Sequence, residues 1–328
     1  MQFSAKKYNQ LFLRFYWQLT TANCQLYYWF FTDLCRLIAV NRQLWTINCQ
    51  LLQSYDTHPK MEEKQISLIR QLSVAERISR LRSLSQTIIQ LSRRAVLRVN
   101  PKLSKHELQC KLVAHHYGND LADRFHKYLN RRTYMKKPDI LVALDPLIKA
   151  FKKIGIPYYI GGSVASSAYG IARATLDVDL VSDLKTQHVH SLVEMLESDY
   201  YIDKEMILDA IKRRSSFNLI HLGTMLKVDI FIIGDRLYDK SAFQRKRKDT
   251  LDEEQEADEF YLASPEDVIL NKLEWFRMGG ESSERQWHDV VGIMKVQGDL
   301  MDKKYLHYWA LELGIFDLLE QAFRDAGI

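Results

Sequence analysis

Three aspartates in two apolar segments have the residue type and spacing for metal chemistry. Asp177 and Asp179 lie two apart in Leu176–Val181, and Asp229 lies in a second apolar run about fifty residues later. Because alternate side chains of a strand share a face, Asp177 and Asp179 point to the same side. If the Asp229 strand lies alongside, three carboxylates form the hard oxygen cluster that suits Mg²⁺ and substrate phosphates. The spacing predicts these residues as metal ligands and catalytic groups for in-line attack on a phosphate.

The surroundings of the aspartates decide between this interpretation and a structural one. An exposed edge strand that alternates acidic and apolar residues would give the same Asp-x-Asp pattern. The neighbours Val178 and Leu180, and Val228 and Ile230 beside Asp229, instead indicate buried strands. Unpaired carboxylates on such strands would repel each other and lose hydration unless cations relieved them. The sequence therefore favours catalysis at all three positions.

The turn Gly161-Gly162-Ser163 could hold phosphate oxygens beside these carboxylates. Its glycines let the backbone turn tightly and approach a ligand, and Ser163 opens a short helix with free N–H groups and a hydroxyl. Such a turn also occurs in ordinary loops, so the phosphate-binding interpretation depends on its position in the sequence. Thirteen residues separate Ser163 from Asp177, enough for one helix and a return into an adjacent strand.

Three cationic side chains are candidate partners of the phosphates. Lys227 lies two residues before Asp229 and shares its face, so its ammonium group could bind phosphate or offset the carboxylates. Arg173, just before the first carboxylate strand, could contact phosphate or lie on the surface. Lys272 follows the helix start Ser264–Asp267 and could bind phosphate or be solvated.

The stretch Tyr158–Val181, YYIGGSVASSAYGIARATLDVDLV, resembles the Gly-Ser/Asp-x-Asp signature of the DNA polymerase β-like nucleotidyltransferase superfamily. Lys227-x-Asp229, Lys272, and Arg285 with Asp289 are similar to later motifs of its AbiEii-type group, which includes abortive-infection and toxin–antitoxin toxins. Arg285 and Asp289 are four apart and could equally form an ordinary helix pair. The resemblance covers roughly residues 140–325.

This resemblance implies an enzyme that moves a nucleoside monophosphate from an NTP such as ATP to an acceptor hydroxyl, with pyrophosphate release. Asp177 and Asp179 would hold two Mg²⁺ ions, and Asp229 would help to activate the acceptor. The implied acceptor is a tRNA 3′ end or a protein side chain, in a toxin or phage-defence role. The alternatives are an antibiotic-type small-molecule acceptor, a self-restrained toxin–antitoxin fusion, and a nucleotide-binding module without turnover. The expected nucleotide-binding residues are Gly161, Gly162, Ser163, Arg173, Lys227 and Lys272.

Four regions are expected to position these residues. Alternating helix and strand signals over residues 136–262 predict an α/β (α+β) fold, with a mixed-sheet catalytic core. Strands are expected near 156–160, 176–181, 216–221 and 226–233. Asp145-Pro146 predicts the start of a helix that ends at Gly155. Residues 263–328 form a helical carboxy-terminal region, with helices near 265–277, 284–296, 303–313 and 315–325.

Residues 61–135 are expected to form a basic helical module, with capping boxes at Ser73/Glu76 and Ser104/Glu107. Their net charge is +9, against −8 for residues 136–328. This module could contact RNA, pack on the acidic half, or act as an antitoxin-like restraint. A solvated surface is the simpler alternative. The expected basic face consists of Arg77, Arg80, Arg93, Arg94 and Arg98.

Residues 1–60 differ from the rest of the chain. Asn23-Cys24-Gln25-Leu26 recurs as Asn48-Cys49-Gln50-Leu51 among clustered aromatics, and Met61 opens ordinary sequence. This pattern indicates a misassigned start codon, the alternative being a genuine helical or membrane-surface extension. The four cysteines and the histidines form no metal-ligand pattern, and no membrane span is evident. A cytoplasmic protein without membrane partners is expected.

Overall fold

The computed structural model describes residues 59–123, 139–250 and 259–328, all within one compact unit of the chain. The extension predicted for residues 1–60, apart from its last two residues, lies outside the described residues, and so does the end of the predicted basic module. Across the described ranges, no helix combines the length and the apolar character that crossing a membrane requires.

Seven strands in the described ranges form one mixed sheet. Their bounds are β1 Tyr158–Ile160, β2 Asp177–Ser182, β3 Tyr200–Tyr201, β4 Ser216–His221, β5 Lys227–Ile232, β6 Arg247–Thr250 and β7 Glu259–Leu262. The spatial order is β3-β4-β5-β2-β1-β7-β6. β2 pairs parallel with β5 and β1 parallel with β7, while the other neighbours are antiparallel. The predicted mixed-sheet α/β fold is confirmed.

The strands β2 and β5 lie in the interior of this order, and both have one buried face. Val178, Leu180, Val228 and Ile230 are each 0% exposed on that face, and the alternate positions of both strands are half-buried. This period of two places the aspartates together on the half-buried face. The four predicted strands are present with small shifts in their bounds, whereas β3, β6 and β7 were not predicted.

The amino-terminal helices are α1 Pro59–Arg70, α2 Val74–Val99 and α3 Lys105–Tyr117. Both predicted capping boxes are confirmed: the Ser73 and Ser104 hydroxyls accept the N–H groups of Glu76 and Glu107, whose carboxylates accept the serine N–H groups. The helix α3 stops before Gly118, whose φ of +94° few L side chains adopt.

The predicted basic face of α2 is wrong in two of its five members. Arg77 is 8% exposed, and its guanidinium donates to the backbone carbonyl oxygen of Ala168 at 2.8 Å. Arg93 is half-buried and lines a small cavity, whereas Arg80, Arg94 and Arg98 are exposed. The buried residues of α2 form one broad stripe. Arg77 and Arg93 lie at its two borders, whereas the three exposed arginines lie on the opposite side.

The helix α4, Ile140–Ile154, begins six residues earlier than predicted, with Asp139 rather than Asp145 as its N-cap. The Asp139 side chain accepts the N–H of Leu141 at 3.0 Å, and Pro146 lies inside the helix. A proline there removes one helical hydrogen bond. The helix continues past it because its apolar face is buried against the core. Its predicted end at Gly155, which has φ +76°, is confirmed.

The remaining helices flank and follow the sheet. Their bounds are α5 Gly162–Tyr169, α6 Val189–Leu196, α7 Lys204–Arg213, α8 Leu237–Gln244, α9 Pro265–Met278, α10 Glu284–Gln297, α11 Lys303–Glu312 and α12 Phe316–Ala326. The four predicted carboxy-terminal helices are confirmed to within a residue at each end, while α7 and α8 were not predicted. The helix α9 begins at the predicted cap, where the Ser264 hydroxyl accepts the N–H of Asp267 at 3.1 Å.

Candidate active site

The pairing of β2 with β5 places the three aspartates side by side. Asp179 is the direct neighbour of Asp229 in the parallel ladder, and Asp177 is the neighbour of Lys227. All four side chains lie on the half-buried face described above. The sequence prediction that a strand bearing Asp229 lies alongside the Asp-x-Asp strand is confirmed.

Burial and mutual repulsion perturb this row of carboxylates. Burial, together with the negative charges of Asp177 and Asp229, raises the pKa of Asp179 to about 6. Burial also raises the pKa of Asp229, although the Lys227 ammonium partly offsets that rise. The Asp177 carboxylate accepts a hydrogen bond from the Thr175 hydroxyl at 2.7 Å. The negative charge of the row therefore destabilises the folded protein, and a bound cation would reduce that destabilisation.

Lys227 lies within this row as the sequence predicts. Its ammonium nitrogen is 2.7 Å from Oδ2 of Asp229 and 5.7 Å from the centre of the Tyr117 ring. Of the two roles considered for Lys227, the geometry favours compensation of the carboxylate charge.

The Gly161-Gly162-Ser163 turn lies directly against Asp179. The Gly161 N–H donates to the Asp179 carbonyl oxygen at 2.8 Å. Gly162 has φ +52°, and a Cβ added there would lie 1.7 Å from Oδ2 of Asp179. Any side chain at position 162 would therefore collide with the carboxylate. This contact brings the amino terminus of α5 to the metal-ligand candidates.

Ser163 connects the turn to a buried ionic cluster. Its hydroxyl accepts a hydrogen bond from Nη2 of Arg173 at 2.7 Å. The same guanidinium binds both carboxylate oxygens of Asp289, at 2.7 and 2.8 Å. The Lys272 ammonium is 2.8 Å from the second of these oxygens. Arg173 and Lys272 are thus neither surface groups nor solvated ones, and Asp289 holds both.

Asp289 is the centre of this cluster, although the sequence indicated it only as one of the later motif residues. Burial by itself would raise its pKa, but Lys272 and Arg173 prevail and hold that pKa at about 2. Its side chain is 4% exposed. The sequence also allowed a helix pair between Asp289 and Arg285. The main contacts of Asp289 come instead from Arg173 and Lys272.

Asn218 is a further polar residue of the row that the sequence analysis did not select. It lies in β4 directly opposite Asp229, between the buried Phe217 and Leu219. Its Oδ1 is buried and has no hydrogen-bond partner. A polar residue in an otherwise apolar strand next to the Asp229 strand was the available signal. This unsatisfied acceptor belongs to the residue that is paired with Asp229.

The candidate metal ligands can be judged by their chemistry. Among the residues that the structure describes, no three His, Cys, Asp or Glu side chains are grouped so that they could hold an ion. Asp177, Asp179 and Asp229 nevertheless present hard oxygens on one face, and the raised pKa of Asp179 marks a place where positive charge would be stabilising. Mg²⁺ is usually held by one or two carboxylates, with water and substrate phosphates completing its shell. The donor set fits that ion.

No protein-family model matches the chain, and no curated protein matches it significantly. Several solved structures are similar to it in part, including the following two. One is the solution structure of the antibiotic-resistance factor ANT(2'')-Ia, with 14% identity and a TM-score of 0.36, over 56% of this chain and 96% of that one. The other is the crystal structure of an antigenic nucleotidyltransferase-like protein from Paracoccidioides brasiliensis, with 15% identity and a TM-score of 0.35, over 59% of this chain and 95% of that one.

Proposed function

We propose that the protein is a nucleotidyltransferase that moves a nucleoside monophosphate from an NTP to an acceptor hydroxyl and releases pyrophosphate. One observation carries the proposal. The glycine turn at the start of α5 presses against Asp179, which is itself paired in register with Asp229. A helix amino terminus and a row of carboxylates therefore meet at one place, which supports transfer from a polyphosphate.

The triphosphate would be bound by groups at the start of α5. The first N–H groups of this helix have no partner within the helix, and the Ser163 hydroxyl, which accepts from Arg173, lies beside them. Arg173 and Lys272 add two positive charges that Asp289 keeps in fixed positions. Fixed cations near the leaving pyrophosphate stabilise the charge that develops there without reorganisation during the reaction.

Asp177, Asp179 and Asp229 would hold Mg²⁺, which when bound supplies charge neutralisation at the phosphates and acidifies the acceptor hydroxyl. The chemical step forms a bond between the acceptor oxygen and the α-phosphorus and breaks the bond to the β-phosphate oxygen. Asp229 is our candidate to take the hydroxyl proton, because it is paired in register with Asp179 on the same face of the sheet.

For the acceptor we propose an RNA 3′ end. Arg80, Arg94 and Arg98 remain exposed on α2, and the sequence of residues 124–138 adds six Lys or Arg residues and no acidic ones. Such positive charge favours a phosphate backbone over a neutral acceptor. A role as a toxin or in phage defence rests on the AbiEii-type resemblance alone. Protein side chains and aminoglycoside-type molecules are the competing acceptors.

Labelled-nucleotide transfer tests this function. The full chain is incubated with Mg²⁺, each α-³²P NTP in turn, and separate pools of total RNA, protein extract and an aminoglycoside. We expect label on RNA that is lost with EDTA and in the Asp229→Asn variant. Label on protein or on the aminoglycoside would refute the RNA acceptor but keep the reaction. Absence of transfer to every pool from folded protein would refute the reaction itself.

Removing Lys227 should change the pH dependence of this transfer. In Lys227→Met the pKa of Asp229 rises further, because the ammonium that lowers it is gone. The base is then protonated over a wider acidic range, so activity should fall more at acidic pH than at alkaline pH. Full pH–rate profiles check this, with the exposed Lys212→Met as control. An equal loss at every pH would instead indicate that Lys227 binds phosphate.

A further inference from the structure

Tyr117 ends α3 and places its hydroxyl at the amino-terminal ends of the two aspartate strands. The hydroxyl donates to the carbonyl oxygen of Leu176 at 2.8 Å and accepts the N–H of Lys227 at 3.3 Å. The carbonyl oxygen of Met225 lies 3.2 Å away. Leu176 directly precedes β2, and Lys227 begins β5. One hydroxyl thus joins the strands that carry Asp177 and Asp229.

The ring of Tyr117 also supports the charge balance of the row. The Lys227 ammonium lies 5.7 Å from the ring centre while it pairs with Asp229 at 2.7 Å. The negative face of an aromatic ring attracts a cation at this distance. Burial first, and the charges of Asp177 and Asp229 in addition, raise the pKa of Tyr117 far above its ordinary value. The hydroxyl therefore keeps its proton and remains a donor.

Two further contacts join α2 to the same catalytic elements. The Ser85 hydroxyl accepts the N–H of Thr175 at 3.0 Å, and the Thr175 hydroxyl in turn donates to Asp177. Arg77 donates to the Ala168 carbonyl oxygen in α5, the helix that follows the glycine turn. Both bonds are buried, so they tie α2 into the fold beside the catalytic elements.

We propose that Tyr117 is a positioning residue of the active site, so that the amino-terminal helices belong to the catalytic body. The effect of Tyr117 on catalysis rests on the function proposed above, whereas its role in holding β2 against β5 does not depend on that function. Tyr117 fixes β2 against β5 where the aspartates begin, and it holds Lys227 beside Asp229. Helices that merely restrained or recruited would not supply a hydroxyl that links these two strands.

The full chain with Tyr117→Phe tests this proposal, and Tyr200→Phe is the matched control. Tyr200 lies in the terminal strand β3, and its buried hydroxyl donates to the carbonyl oxygen of Ala143. Both variants lose a buried tyrosine hydroxyl bonded to the backbone, but only Tyr117 touches the aspartate strands. In Tyr117→Phe we expect kcat to fall about 10–100-fold, with KM for the NTP changed far less. The control should keep kcat within about threefold.

Amide hydrogen exchange provides a readout that does not depend on catalysis. The Lys227 amide should exchange slowly in the wild type and at least about tenfold faster in Tyr117→Phe, but not in Tyr200→Phe. Equal kcat losses in the two variants, or an unprotected Lys227 amide in the wild type, would overturn the proposal. Protection of the Lys227 amide in the wild type tests the proposal even if Tyr117→Phe does not fold. If the wild type transfers no nucleotide, the proposed function fails and exchange alone decides the positioning role.

Discussion

Asp179→Asn should abolish nucleotidyl transfer and at the same time stabilise the folded protein. The variant loses a charge that would hold Mg²⁺, and we expect activity to drop by at least about 10²–10³-fold. The fold should gain about 1–3 kcal/mol at neutral pH, because burial and the neighbouring carboxylates raise the pKa of Asp179 from 3.8 to about 6. Opposite signs for activity and stability are typical of groups kept for function.

The pH dependence of this stability gain follows from the sign of the shift. The folded state binds a proton at Asp179 more tightly than the unfolded state does. The wild type therefore loses stability from this group as the pH rises from about 4 to about 6, whereas asparagine does not titrate. The difference between the proteins should grow over that window and stay level above it. Urea unfolding in EDTA at a series of pH values measures it.

Two controls separate this effect from a generic one. Asp183→Asn removes a carboxylate just after β2 whose contact is a surface ion pair with Lys185, so it should change stability by less than about 1 kcal/mol. Added Mg²⁺ should raise the unfolding midpoint of the wild type and leave that of Asp179→Asn unchanged. A variant that is destabilised in EDTA at every pH, or that keeps its activity, would contradict the assignment.

Asp289→Asn should have the largest effect on stability. Its carboxylate lies between the buried cations Arg173 and Lys272, and removing one partner of a buried ion pair costs about 3–5 kcal/mol. Since Lys272 and Arg173 overcome burial and hold the pKa of Asp289 at about 2, the stabilisation is fully present above about pH 4. It is lost as the pH falls towards 2. Activity should fall as well, because both cations lose their fixed positions.

A double variant distinguishes the structural from the functional part of this effect. Adding Lys272→Met to Asp289→Asn removes an uncompensated buried cation, so stability should recover in part while transfer stays reduced. Asp317→Asn is the matched control: its carboxylate also accepts two contacts from one guanidinium, that of Arg277, but it is 70% exposed. We expect it to lose less than about 1 kcal/mol. A fully active double variant would refute the role of Lys272.

The local features of the site could be predicted from the sequence because they depend on short-range rules. Alternation placed Asp177 and Asp179 on one face, and a glycine turn followed by a small helix placed Ser163 near them. The caps Ser73, Ser104 and Ser264 were predictable for the same reason, since each uses a side chain and an N–H group three residues apart.

The parts that were not predicted depend on tertiary contacts. Arg173 and Asp289 are 116 residues apart, and nothing in their local patterns indicates that they meet. The position of Asn218 opposite Asp229 depends only on the register of β4 against β5, which the sequence does not show. Pro146 was predicted to start a helix, because the burial that lets α4 continue past the proline cannot be seen in the local sequence. Tyr117 was missed because a tyrosine at a helix end is ordinarily a packing residue.

The parallel pairing of β2 with β5 also has a consequence for folding kinetics. It joins Asp179 to Asp229 across fifty residues of chain, while β1 pairs with β7 across about a hundred. Such non-local contacts form only after large loops have closed, which slows folding. The like charges of the aspartates oppose the same step. We therefore expect the row of carboxylates to assemble late, when the helices and hairpins that form from local contacts are already in place.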